Sequence, residues 1–192
     1  YNSAVTAREL VLEEYPEAKI ALIDSRSASL GLGLLVHYAL EIRERGAGYE
    51  EIVDWLENNK LRLNHWFTVE DLHHLKRGGR VSGAAAFIGS MLDVKPVLHV
   101  DDEGRLIPVA KVRGRNKSLR YLKEKLAERI IDGENQVIFI SHGDALEDAN
   151  LLKKMILEQH QVKDVMLGYV GPVIGAHSGP GTIALFFMGK ER

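Results

Sequence analysis

Apolar positions recur at helical spacing over residues 2–14, 30–45, 50–63, 117–131 and 145–159. Between these stretches lie short apolar or β-branched runs suited to strands, at 20–23, 65–69, 94–100, 105–112, 137–140, 162–169 and 182–188. The punctuation agrees with this division. Pro16 ends the first helix, Asp24 and Ser25 follow a buried strand at 20–23 as cap residues, and Gly46 and Gly48 close the second helix. A short helix at 70–76 stops at Gly78 and Gly79. Ser82 then caps a further helix that mixes Ala84, Ala85, Ala86 and Gly89 with Phe87, Ile88, Met91 and Leu92. Pro96 inside the run at 94–100 predicts an edge strand or the first residues of one. Residues 101–104 are a turn, which makes the runs on either side a hairpin.

Alternating strands and helices predict an α/β fold, with the hairpin as the one break in the alternation. The double glycine at 78–79 precedes that hairpin. It marks the expected seam between two lobes, residues 1–77 as the remainder of an N-terminal α/β lobe and 78–192 as a C-terminal α/β lobe with a mixed sheet.

Composition narrows the function. Lys plus Arg total 25 against 27 Asp plus Glu, a formal net charge of −2, whereas general nucleic-acid binding needs a basic surface. The chain contains no cysteine, which removes disulfides, thiolate metal sites and a cysteine nucleophile, and fits a reducing, cytoplasmic setting. No apolar run reaches the length of a membrane span, and the start carries no signal-peptide pattern. The chain opens directly into a helical pattern without Met and reads as a fragment of something longer.

Three stretches carry the candidate chemistry. In 76–82, Lys76, Arg77 and Arg80 surround two glycines and lead into a helix N-terminus, an arrangement that suits an anion, although a solvated basic helix end is the commoner origin of such a pattern. In 111–118, Lys111, Arg113, Arg115 and Lys117 lie at the carboxyl end of a strand, where α/β proteins bind ligands and where arginine grips a carboxylate or phosphate; a solvated charged turn is the alternative. In 171–181 a single histidine, His177, sits among glycines and prolines that predict a shaped loop, so it is a candidate anion donor or acid/base. Adjacent His73 and His74 do not face one metal on a helix, and His142 reads as part of a turn. The nucleophile-elbow, phosphate-loop, dinucleotide and zinc-helix motifs are all missing.

Five segments, 24–33, 71–82, 92–98, 111–117 and 175–181, resemble proteins of the DegV family in order and spacing, and the opening Tyr1-Asn2-Ser3-Ala4 is similar to the tail of another of the family's segments. The resemblance implies a two-lobed fold around a tunnel for one long-chain fatty acid such as palmitate. It implies a non-catalytic binding subunit that presents the bound carboxylate to an ATP-dependent fatty acid kinase subunit, in lipid transport or phospholipid metabolism, with no cofactor, nucleic-acid partner or stable membrane insertion. His177 and Ser178, with Arg113 and Arg115, then mark the carboxylate region, while Arg80 and Lys76 belong to a kinase-docking or anion loop. Ala85, Phe87, Ile88, Met91 and Val97 line the acyl tunnel. Family members begin with a further α/β segment whose Thr and Ser hydroxyls cradle the carboxylate, and this chain lacks it. The rival expectation is an enzyme on a phosphorylated small molecule with His177 as acid/base.

Overall fold

A run such as 182–188, apolar at nearly every position, needs cover on both faces, and the structure supplies it. The computed structural model of the protein describes residues 1–70, 72–80 and 93–192. Its elements are α1 (Asn2–Glu14), α2 (Leu30–Glu44), α3 (Tyr49–Asn59), β1 (Leu63–Thr68), α4 (His73–Arg77), β2 (Val94–Val100), β3 (Leu106–Arg113), α5 (Arg115–Arg129), β4 (Val137–Gly143), α6 (Leu146–Leu157), β5 (Asp164–Tyr169), α7 (Pro172–Ser178) and β6 (Thr182–Met188). The strands form one mixed sheet in the order β3-β2-β1-β6-β4-β5, parallel between β4 and β5 and antiparallel elsewhere.

Alternation along the strands sends side chains to two separate cores. Phe67, Phe139, Ala184 and Phe186 pack with Leu34 and Leu35 of α2 and Leu75 of α4. Trp66, Ile138, Ile140, Leu185 and Phe187 pack with Leu119, Leu122 and Leu126 of α5 and Leu152 and Ile156 of α6. Every residue of β1 and β6 is buried as a result. The order is helix, sheet, helix, and no helix among the described residues is long and apolar enough to cross a membrane.

Several expectations shift. The seam at 77/78 does not divide the sheet, because β1, from the first segment, is hydrogen-bonded between β2 and β6. Residues 20–23 are partly buried but form no strand. The strand β2 is interior rather than an edge, yet Pro96 lies at its start, beyond the β1 register that begins at Thr68 opposite Val97. There its carbonyl accepts from Thr68 Oγ1 at 2.8 Å. The helix capped by Ser82 lies outside the described residues.

The glycine- and proline-rich stretch after β5 is a short helix, not an irregular loop. Pro172 occupies the first helical position, where its missing N–H costs nothing, and Gly179 ends the helix at φ +78°.

Candidate binding site

The carboxyl ends of β4 and β5, the start of β6, α7 and the segment before α2 surround a cavity of about 200 Å³. One water needs only about 10–15 Å³, so this is room for a larger guest. The wall is mostly apolar, from Ala28, Phe67, Leu75, Leu106, Val170, Ile174 and Ala184. Its polar side chains are Ser29, His65, Arg80, Ser141, His177, Ser178 and Thr182.

These polar groups are distributed along a strand axis. Thr182 pairs with Gly143 and Phe186 with His65, so the Thr182 end and the His65 end are four residues of β6 apart, about 13 Å at the usual strand rise. Between the two ends, opposite Ala184, lies Ser141. Ser29 precedes α2 at φ 54°, a rare conformation for a residue with a side chain, and makes no capping bond to its own helix. Its hydroxyl instead donates to Ser141 Oγ at 2.9 Å. Thr182 Oγ1 donates to the Gly179 carbonyl at 2.8 Å. Ser178 Oγ and His177 Nδ1 are buried with no hydrogen-bond partner at all. A buried polar atom without a partner is costly, and both belong to residues of the cavity wall.

The other end is kept uncharged. Burial first, then the nearby Arg192 guanidinium and His99, push the His65 imidazole down to about 3. Its ring lies 4.5 Å from Phe186 and 5.5 Å from Phe67, with Nδ1 3.2 Å from Ser27 Oγ. In neutral solution His65 is a flat, neutral wall rather than a cation.

The residues singled out from the sequence do not all come together. His177 and Ser178 stand together at the end of α7, in the cavity wall. Arg80 also borders the cavity and donates to the Gly78 carbonyl at 3.2 Å, while Lys76 is exposed in the last turn of α4 and is not in the wall. Arg113 is exposed at the end of β3, opposite Val94, and does not line the cavity. Arg115 does not line it either: Nε donates to Asp148 at 2.8 Å and a terminal nitrogen to the Gly181 carbonyl at 2.6 Å. Its observed work is to tie α5 to α6 and to the turn before Thr182. Val97 is fully buried but belongs to the α5–α6 core, because period-two alternation turns it to the opposite face from Leu98. Ala85, Phe87, Ile88 and Met91 lie outside the described residues.

Ser29, Ser141, Thr182 and His65 are wall residues that the sequence pattern did not single out. Ser29 lies within the 24–33 segment that carries the family resemblance, and Ser141 and Thr182 border strands. Nothing in the local sequence says that these distant hydroxyls converge.

Comparison with known proteins agrees over the whole length. The family model described as an uncharacterised protein of the DegV family matches residues 1–190. A DegV domain-containing protein of Clostridium perfringens is 51% identical over 192 residues, covering 100% of this chain and 66% of the relative. The chain thus spans just under two thirds of that relative's length. Among solved structures, a DegV-family protein of Ruminococcus gnavus, described with vaccenic acid, superposes with a TM-score of 0.90 at 26% identity, over 97% of this chain and 66% of the other. A protein of Thermotoga maritima described as a DegV lipid binding protein superposes with a TM-score of 0.84 at 32% identity, over 100% and 65%.

Proposed function

The chain belongs to the DegV family, and on that premise we propose that it is the greater part of a carrier that binds one long-chain fatty acid, such as palmitate, and presents its carboxylate to an ATP-dependent fatty acid kinase subunit. The acyl chain occupies the apolar cavity. The carboxylate lies at its polar end, beside His177 and Ser178. The observation that carries this reading is the unpartnered, buried Ser178 hydroxyl next to His177 in the wall of a cavity that is otherwise largely apolar in surface. A carboxylate supplies the acceptor that the Ser178 hydroxyl lacks.

Energetics support it. A dozen buried methylenes are worth about 10 kcal/mol gross at about 0.8 kcal/mol each. Association and ordering costs leave micromolar or better affinity within reach. With Nδ1 lying against Gly78, Nε2 is the ring nitrogen left to meet the ligand. Fatty acid in the structure of the Ruminococcus gnavus protein and lipid binding by the Thermotoga maritima protein support the same ligand class. In this reading Arg80, Lys76 and Arg113 form the exposed basic rim that meets the kinase subunit, and Arg115 supports the carboxylate end from behind.

The rival reading, His177 as an acid/base, lacks support of this kind. A histidine in that role has its second nitrogen oriented by an acceptor, and His177 Nδ1 has none.

Native mass spectrometry of the intact protein tests the proposal. A co-purified fatty acid, together with a loss of palmitate affinity of about tenfold or more on His177→Ala, is the expected result; an empty protein that ignores palmitate ends it.

A further inference from the structure

The paired glycines at 78 and 79 are needed for two unrelated reasons. Gly79 has φ +66°, and the Arg80 N–H reaches the Leu75 carbonyl at 2.9 Å while the Gly79 N–H reaches that of Lys76 at 3.0 Å. That is a left-handed helix ending, and Gly79 supplies its backbone freedom. A side chain added there would meet nothing within 4 Å. Gly78 is the reverse. Its φ of −76° suits any residue, so backbone strain does not explain the glycine. A Cβ added at Gly78, however, would overlap His177 Nδ1 and stand 3.1 Å from the ring's Cγ and Cε1.

The same relation recurs in the opposite sense. A Cβ added at Gly179, just after α7, would run into the His74 ring, coming within 2.5 Å of its Cδ2 and 2.7 Å of its Cγ. His74 is in α4 and Gly78 ends it; His177 is in α7 and Gly179 ends it. Each short helix therefore seats a histidine on the bare backbone that terminates the other. We propose that Gly78 is the positioning residue for His177, and that Gly78 and Gly179 form a reciprocal latch between α4 and α7 that turns the His177 ring so that Nε2 serves the ligand carboxylate. This rests on the reading of His177 given above. It adds that the link runs through steric room rather than a hydrogen bond, since His177 Nδ1 has no partner.

The latch makes Gly78→Ala a steric probe and Gly79→Ala its control. In the intact protein, affinities for palmitate and for 1-hexadecanol, which has the chain without the carboxylate, give the contribution of the head group. Gly78→Ala is expected to lower palmitate affinity at least tenfold while hexadecanol affinity moves less than threefold. Gly79→Ala is expected to lower the melting temperature and leave the ratio of the two affinities alone. In a His177→Ala background, Gly78→Ala should have no further effect on palmitate, the non-additivity of groups that act as one. A wild-type ratio in folded Gly78→Ala, or full additivity with His177→Ala, overturns the latch. Should Gly78→Ala fail to fold, the double variant, which removes the ring, is expected to recover folding, and an unfolded double variant overturns the proposal as well. The imidazole NMR resonances of His177 separate the two ideas. If His177→Ala leaves palmitate binding intact, the carboxylate reading fails, whereas unshifted His177 resonances in Gly78→Ala defeat the latch whatever the ligand.

Discussion

His65 shows what burial does to a single ionisable group. Its folded-state value near 3 lies well below the ordinary value near 6.5, so the unfolded chain binds a proton that the folded chain refuses. The sign follows directly. His65 leaves stability intact above about pH 6.5 and removes it as pH falls toward 3, by at most about 1.4 kcal/mol per pH unit. His99 and His160, both shifted down mainly by burial, act in the same direction. Urea unfolding at pH 7.5 and pH 5 should show a clear loss of stability in the wild type and a smaller one in His65→Gln. Equal pH dependence in the two proteins would assign the effect elsewhere. Arg113 and Arg115 make a second contrast between residues of one type. Arg113 is exposed at a strand end, whereas Arg115 is mostly buried and bonded to Asp148 and Gly181. Arg115→Ala is expected to cost about 2 kcal/mol, and Arg113→Ala to stay within about 0.5 kcal/mol, by thermal or denaturant melts.

At the level of elements, the segment before α2 is held in place by the last residue of the chain as given. The Arg192 guanidinium donates to the carbonyls of Ser25 at 3.1 Å, Arg26 at 3.0 Å, Lys60 at 2.8 Å, Leu63 at 3.0 Å and Asp101 at 3.0 Å. Arg26 adds a bond to the Asp102 carbonyl at 2.7 Å. This network pins the stretch that contributes Ala28 and Ser29 to the cavity wall against β1 and the β2–β3 turn. Arg192→Met leaves those carbonyls without their shared donor and should lower stability by about 2–4 kcal/mol. Faster amide exchange over residues 24–29 should accompany the loss. Unchanged exchange there would mean that the segment is held by something else.

For the whole molecule, binding and presentation of a ligand are separable properties. In the proposed carrier the apolar cavity and its polar end serve binding, while the exposed Arg80, Lys76 and Arg113 are assigned to the kinase-facing side. Removing an exposed cation alters the encounter with a partner more than it alters a buried ligand site. Arg80→Ala and Arg113→Ala should therefore reduce phosphorylation of bound fatty acid by a kinase subunit more than they reduce fatty-acid affinity. A parallel loss of both properties would remove these residues from the docking surface.

Periodicity and run length are local, and they gave the α/β class, the longer helices and most of the strands directly, down to the residues 182–188 that form β6. Glycine positions located the end of α4 and the β2–β3 turn for the same reason, since a left-handed φ acts within a few residues. The stretch around His177 was legible as special but not as a helix, because its composition masked a proline start and glycine stop. Which face a strand residue takes, and what stands there, depends on pairing between segments far apart in sequence. That is why Val97 turned out to lie behind the sheet, why Arg115 is held by Asp148, and why Ser29 meets Ser141. The seat of His177 on Gly78 is likewise a contact across almost a hundred positions, and only close packing of two helix ends reveals that one glycine of the pair is there for room and the other for its backbone angle.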